Sequence, residues 1–529
     1  MMRAGILHGL VGVVLFAGAF ATAGCSHYYE EYYLSLVGTG GDAGTGGSDG
    51  GPPPSCFPSK NTKPVDKSCG VFVSSGSGDD TNGKGTPSAP YRTIGKALAE
   101  NKDAIYACAG ATAYSEALVI EKGVTLFGAL DCGTWAYDAA NKTQLTAAAD
   151  EVPLKLTNSA SKSTVEDFEI TAADAKTDGV SSIAVLNDGV ELYLNRCTLT
   201  AGKGADGKAG ETPTGSGQKG EDAPASTTAL DGCMMNVNGV FGGQPGVSMC
   251  GNVETSGALG GAGTNQSGGG AGTDALPQPQ PNATAGHDGK AGKAQDSSSC
   301  DPGHPGADGL PGAIPGAGAS GIGDLSSSGY QAPLATAGQS PGSPGYGGGG
   351  GGGAKKCANN FAGPAGGGGG AGGCGGQPGG AAQSAGSSFA LVSLNAMITL
   401  DTVTLTSVDG GHGGAGGDGQ PGGQGGSGGL AGGSNGDGAV KACNGGDGGQ
   451  GGRGSSGGGG LGGHSAGIAF KGTPPMQKNK PPIIKHGNGG SGGIGGDMDM
   501  TSPGIVGGNG LGCATLDFTA PTSPTACAM

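Results

Sequence analysis

One 20-residue unit occurs twice in this chain. Residues 181–200 read SSIAVLNDGVELYLNRCTLT, and residues 387–406 read SSFALVSLNAMITLDTVTLT. Seven of the 20 positions are identical, and most others keep their polar or apolar character. Each copy runs directly into glycine-rich sequence, AGKGADGKAG after the first and SVDGGHGGAGGDG after the second. A strand-forming unit followed by a glycine tract is therefore the plan of the chain.

A third version lies upstream at residues 152–171, offset by 29. Val165, Phe168 and Ile170 fall on Leu194, Cys197 and Leu199, and then on Leu400, Val403 and Leu405. Within each unit apolar residues alternate, pause for two polar residues, and resume. Such a pause restores inward facing after a corner between two strands. Asn195-Arg196 is one such corner, and Asp401 is the equivalent of Asn195. Short polar side chains suit these bends by bonding nearby backbone. An antiparallel sandwich is the alternative, but it does not explain one unit returning after such different intervals.

Composition restricts what lies between the units. Glycine is 125 of 529 residues, against a usual ~7%. Aromatic residues are 4% and charged residues 13%, too few large side chains for several ordinary cores and too little charge for charge-driven disorder. Several tracts hold glycine at every third position, from Gly410 through Gly413 and Gly416 to Gly428, and from Gly445 to Gly463. Period three matches an extended helix of three residues per turn. Two readings stand. The tracts are flexible loops, which are tolerable because closure entropy grows slowly with length, or they are glycine helices packed side by side. Residues 303–312, GHPGADGLPG, are collagen-like but brief. Residues 413–421, GGAGGDGQP, match a calcium-binding nonapeptide until Gln420 occupies the large apolar position. No cofactor and no metal site is expected.

The N-terminus reads as an address. Arg3, an apolar run ILHGLVGVVLFAGAF and the small residues ATAG make residues 1–24 a secretory signal. Ala23-Gly24-Cys25 resembles a bacterial lipobox, with Thr22 in place of the usual aliphatic residue. The resemblance implies lipidation at Cys25 and a membrane partner through that anchor; simple cleavage after Ala23 is the alternative. Residues 25–70 then form the anchor and a flexible Gly/Ser/Pro tether. The formal charge is −15, and only four arginines occur, Arg3, Arg92, Arg196 and Arg453. Such a surface offers no cationic footprint for nucleic acid.

Fourteen cysteines behind an export signal read as disulfides in an oxidising compartment. Nearest-neighbour pairing gives Cys56 with Cys69, Cys108 with Cys132, Cys233 with Cys250, Cys357 with Cys374, and Cys513 with Cys527. Connectivity is not fixed by sequence. Cys197, aligned with Phe168 and Val403, is expected as a buried core thiol.

Residues 71–135 begin with VFV, then a GDD loop, then a short amphipathic helix start carried by Ser88, Pro90, Tyr91, Thr93 and Ile94. AYSEALVI (113–120) and VTLFG (124–128) follow. This order resembles the opening of the pectin-lyase-like superfamily. The glycine tracts resemble the polymorphic glycine-rich (PGRS) repeats of some bacterial surface proteins, without the domain that precedes many of those. The resemblance implies an all-β right-handed parallel β-helix with a short N-terminal capping helix and long glycine-rich insertions. Its coils occupy residues 71–200, with a glycine-rich insertion and degenerate coils at 201–386. A further coil at 387–406 leads into glycine repeats and C-terminal coils at 407–529.

The expected function is a non-enzymatic cell-surface or matrix lipoprotein, meeting surface glycans or other envelope proteins. The alternative is a polysaccharide lyase, hydrolase or glycan-binding protein. That chemistry needs convergent carboxylates or acids beside a cation. Asp174, Asp178, Asp188 and Arg196 are the residues available for it.

Overall fold

The structure, a computed structural model, describes residues 56–519 apart from 62, 158–161, 226–227, 236, 297–298 and 498–502, together with residues 527–528. The expected signal, Cys25 and most of the tether lie outside the described residues.

The described chain is nearly all β, with three long sheets of stacked, almost wholly parallel strands. Each turn of chain adds one strand to the second sheet, then one to the first, then one to the third. The turn at residues 182–200 shows the cycle: Ser182–Asp188 joins the second sheet, Glu191–Asn195 the first, and Thr198–Thr200 the third. The next turn repeats it with Ser388–Leu394, Ile398–Asp401 and Thr404–Thr406. Ser182 pairs with Ser388, Leu194 with Leu400 and Leu199 with Leu405, all in parallel. The two copies of the repeat are thus neighbouring layers, which excludes the antiparallel sandwich. The 29-residue offset is likewise the spatial register, with Val165 beside Leu194 and Ile170 beside Leu199.

Alternation explains the core. Val165, Leu194 and Leu400 form one inward column, Leu154, Val185, Leu391 and Ile468 a second, and Ile170, Leu199 and Leu405 a third. Phe168, Cys197 and Val403 fill the corner between them, and all three are buried. Burial pushes the Cys197 thiol up to about 12, so it stays a neutral core group. The polar pause before it is a bend in fact. Asp167, Arg196, Thr402 and Asn479 are stacked and all have φ between 45° and 61°, the left-handed region that such residues enter only where a turn demands it.

Among the described residues helix is almost absent. One short α-helix, Ile94–Leu98, buries Ile94 and Ala97 against the core. Thr93 caps it by accepting from the Lys96 N–H at 3.1 Å. The Glu116 carboxylate accepts the Ile94 and Gly95 N–H groups, each at 2.8 Å. Asp80 accepts from the Arg92 and Thr93 N–H groups. The signature residues of the opening segment therefore hold local backbone together.

Two sheets also bury their outer faces. Phe72, Tyr106 and Phe127 stack outside the first sheet, with ring centroids 5.2 and 5.1 Å apart. Cys56, Phe57 and Val65 cover them, and the Tyr106 hydroxyl donates to the Cys56 carbonyl at 2.7 Å. The expected flexible tether therefore needs correction over its last part. Residues 56–61 and 63–70 belong to the folded body, because they supply apolar cover and the Cys56–Cys69 disulfide. Outside the second sheet, the hairpin Asp324–Ser326 and Gly329–Gln331 lays Leu325 and Tyr330 over Ile183, Phe389 and Phe518.

Candidate functional site

Glycine sequence leaves the stack always at the same corner, between a third-sheet strand and the next second-sheet strand. That turn is short at residues 172–181. It becomes 201–387, 407–464 and 486–511 in the following layers. Each long excursion runs outward and returns in the layer above.

These excursions are not loose loops. Residues 365–386 run among six other segments and bond to all of them through backbone groups. Gly370, Gly373 and Gly376 donate to Gly446, Gly449 and Gly452. Ala371, Cys374 and Gly380 donate to Glu221, Gln218 and Glu211. Gly366, Gly369 and Gly372 donate to Gly261, Ala258 and Thr255. The carbonyls accept in three further directions. Gly414, Gly417 and Gly426 donate to Gln383, Gly380 and Ala371; Gly345, Gly348 and Gly351 donate to Gly373, Gly370 and Gly367; Gly243 and Gly246 donate to Gly366 and Gly369. Partners advance by three residues or a multiple of three, with one extra residue between Glu211 and Gln218, so each segment is an extended rod of three residues per turn. Such a rod has no internal hydrogen bonds. Its three rows of N–H and three rows of C=O point in six directions, and six neighbours satisfy them.

The packing depends on missing side chains. Residues 347–354, 362–373 and 454–463 are buried throughout. A Cβ on Gly460 would lie 2.0 Å from the Gln383 carbonyl oxygen, and one on Gly369 would lie 1.9 Å from that of Gly348. Close approach, not unusual φ, is what requires glycine at these rows. The reading of the tracts as packed glycine helices therefore replaces flexible loops for the described rods. The collagen-like residues 303–312 form an outer rod of the same kind, with Gly303, Gly306, Gly309 and Gly312 donating to Asn444, Asp447, Gln450 and Arg453.

Disulfides follow the rods. Cys56–Cys69, Cys108–Cys132 and Cys513–Cys527 pair as neighbours in sequence. The expected Cys233–Cys250 and Cys357–Cys374 pairs are wrong. Cys233 joins Cys357, Cys250 joins Cys374, and Cys300 joins Cys443, which sequence reasoning left unpaired. The physical reason is that cysteines close in sequence sit on different rods, while those facing each other across rods are 124 or 143 residues apart. The six disulfides among the described residues indicate an oxidising compartment.

Among the described residues, one group of Cys and Asp side chains lies within metal-ligating distance, Cys233, Cys357 and Asp437. Its two sulfurs are joined in a disulfide and offer no thiolate. In the nonapeptide-like stretch, Asp418 accepts the Asp497 N–H at 2.8 Å. The two central arginines are tied down. Arg196 spans Glu166 and Asp167 with contacts of 2.8 Å, and Arg453 meets Asp497 at 2.7 Å. Asp174 lies in the turn between the third and second sheets and accepts the Lys203 N–H. Asp178 lies in that same turn, while Asp188 ends a second-sheet strand and Arg196 lies at the corner between first and third sheets. The four residues occupy three separate corners and do not converge.

At the rod end near Cys233, a shallow cleft of about 440 Å³ is lined by Leu230, Met234, Val237, Val240 and Phe241. Phe241 is 89% exposed and Met235 79%. In sequence this stretch is only part of the degenerate coils expected within 201–386. No protein-family model, curated protein or solved structure matches the chain.

Proposed function

We propose that this chain is a non-enzymatic cell-surface or extracellular-matrix lipoprotein. In this reading the three parallel sheets are a right-handed, pectin-lyase-like β-helix whose first coil is covered by the short helix, and Cys25 carries the lipid. The β-helix is a base, and the glycine rods are the displayed part. The observation that carries the reading is the common exit corner: every long glycine excursion leaves the stack on one side and joins one hydrogen-bonded body. A stiff projection of that kind suits adhesion or envelope structure, with surface glycans or other envelope proteins as partners.

The polysaccharide lyase or hydrolase reading draws no support from Asp174, Asp178, Asp188 and Arg196, which stand apart. Incubating the purified chain with pectin and alginate tests this directly. No unsaturated or reducing ends are expected, and their release would overturn the non-enzymatic reading. Cell fractionation tests the anchor. Cys25→Ala should move the chain from the membrane to the soluble fraction, and retention in the membrane would remove the lipid from the proposal.

A further inference from the structure

A rod in the interior of the body has six neighbours, but a rod on its outside has a row of N–H groups with no rod to receive them. The sequence treats these rows in a consistent way. On rod 411–432 the outward row falls at every third residue from His412. The His412 N–H is taken by the Asp206 carboxylate at 2.8 Å, that of Asp418 by the Thr212 hydroxyl at 2.9 Å, and that of Ser427 by the Asp222 carboxylate at 2.7 Å. Position 421 on the same row is proline, which has no N–H. The next rod repeats the device. Asn488, Ser491 and Asp497 donate to Asp409, His412 and Asp418.

Rod 303–319 uses both solutions on separate rows. One row gives its N–H groups to the hydroxyls of Ser343, Ser340 and Thr336 at Leu310, Ile314 and Ala317. The other carries Pro305, Pro311 and Pro315. Rod 338–354 places Pro341 and Pro344 on the row by which Gly350 and Gly353 donate to Thr273 and Gly270, in the part beyond that neighbour. Two unrelated chemistries thus remove donors from outer rows, and Ala415 and Gln424 are the positions of the row from His412 where neither is found.

We propose that these side-chain acceptors and prolines are edge guards that keep the glycine body from adding a rod of a second copy of this chain. The logic is that of an exposed strand edge, where a row of unpaired backbone groups is a template for another chain. A glycine rod is a worse hazard, since it has no side chains to obstruct an incoming backbone. The guards act by occupying donors, and their charge is incidental. The proposal is independent of what the body displays.

Sedimentation of the full chain over a concentration series tests it. The wild-type chain should remain monomeric. Asp206→Ala with Thr212→Ala and Asp222→Ala should raise the self-association constant by about tenfold or more, with His412, Asp418 and Ser427 amides protected from exchange in the associated form. Asp206→Asn with Thr212→Ser and Asp222→Asn keeps an acceptor oxygen at each position and should stay monomeric. If the alanine variant stays monomeric with its rods protected, or if the Asn/Ser variant associates equally, the proposal fails. Should the alanine variant unfold, Pro421→Ala decides: it adds one outward N–H and keeps the carbonyl that accepts from Gly217, so it should associate more than wild type, and a monomer overturns the proposal.

Discussion

At the residue scale, glycine is required at some positions and replaceable at others, and two alanine substitutions separate the cases. Gly460→Ala drives a Cβ to 2.0 Å from the Gln383 carbonyl oxygen. Two rods must part, and a loss of several kcal/mol is expected, at or beyond the ~4–5 kcal/mol that marks an exceptional point mutation. Gly438→Ala has nothing within 4 Å and should change stability by less than about 0.5 kcal/mol. Thermal melting of the two variants checks the contrast. Arg196 makes a second test. Glu166 and Asp167 are nearly buried beside it, so Arg196→Ala strands two carboxylates and should cost about 3 kcal/mol or more. His464 gives a third. It is buried where a rod enters a second-sheet strand. Its Nδ1 accepts the Leu511 N–H at 2.9 Å, so Nε2 carries the proton toward the Ile322 carbonyl at 3.0 Å. Burial lowers its pKa from 6.5 to about 4. The unfolded chain then binds the proton more readily, so stability is full above pH 6.5 and falls as the pH drops toward 4, by about 3 kcal/mol in all. His464→Gln should flatten a plot of melting temperature against pH over that window.

At the element scale, the rods should exchange amides slowly although they contain no helix or strand. Gly414, Gly417, Gly457 and Gly460 are expected to be protected, and the turn at residues 434–438 to exchange fast; hydrogen exchange read by mass spectrometry distinguishes them. Much of the stack was legible in the sequence. The 206-residue offset between the repeats is the register of Ser182 with Ser388, and the Asn195-Arg196 pause is a left-handed corner. Both follow from local alternation, which one chain segment reveals alone. The glycine period was legible as well, but not its packing. Which rods meet depends on where each turn reverses, and that is a non-local property. The same gap explains the cysteines: Cys250 and Cys374 meet because two rods lie side by side, although Cys233 is nearer to Cys250 in sequence. Phe57 and Val65 lie within the stretch expected as tether, among proline and polar residues. Their role appears only once Tyr106 and Phe127 present an apolar outer face.

At the scale of the whole molecule, the chain combines two materials with one continuous backbone. The stack is held by columns of Leu, Val and Ile, while the rods are held by peptide groups bonded to peptide groups. Three disulfides, Cys233–Cys357, Cys250–Cys374 and Cys300–Cys443, tie rods to one another and none ties the rods to the stack. Replacing Cys300 and Cys443 by serine should lower the stability of the rods by about 2–4 kcal/mol and leave the pairing of Ser182 with Ser388 intact. The acidic residues serve the rods too. A backbone N–H from His412 holds the Asp206 carboxyl below its ordinary range; its contribution is present above pH ~4 and is lost as the pH falls through the lowered value. The thermodynamic consequence of building by backbone bonds concerns heat capacity. Exposing apolar surface raises it on unfolding, by about 0.45 cal/K/mol per Å², and exposing polar surface lowers it, by about 0.26. A glycine rod exposes chiefly peptide groups, so its melting carries little of the heat-capacity increment that curves the stability of an ordinary core. The rods should therefore resist cold in conditions that weaken hydrophobic interiors, and their stability should fall with temperature along a nearly straight line.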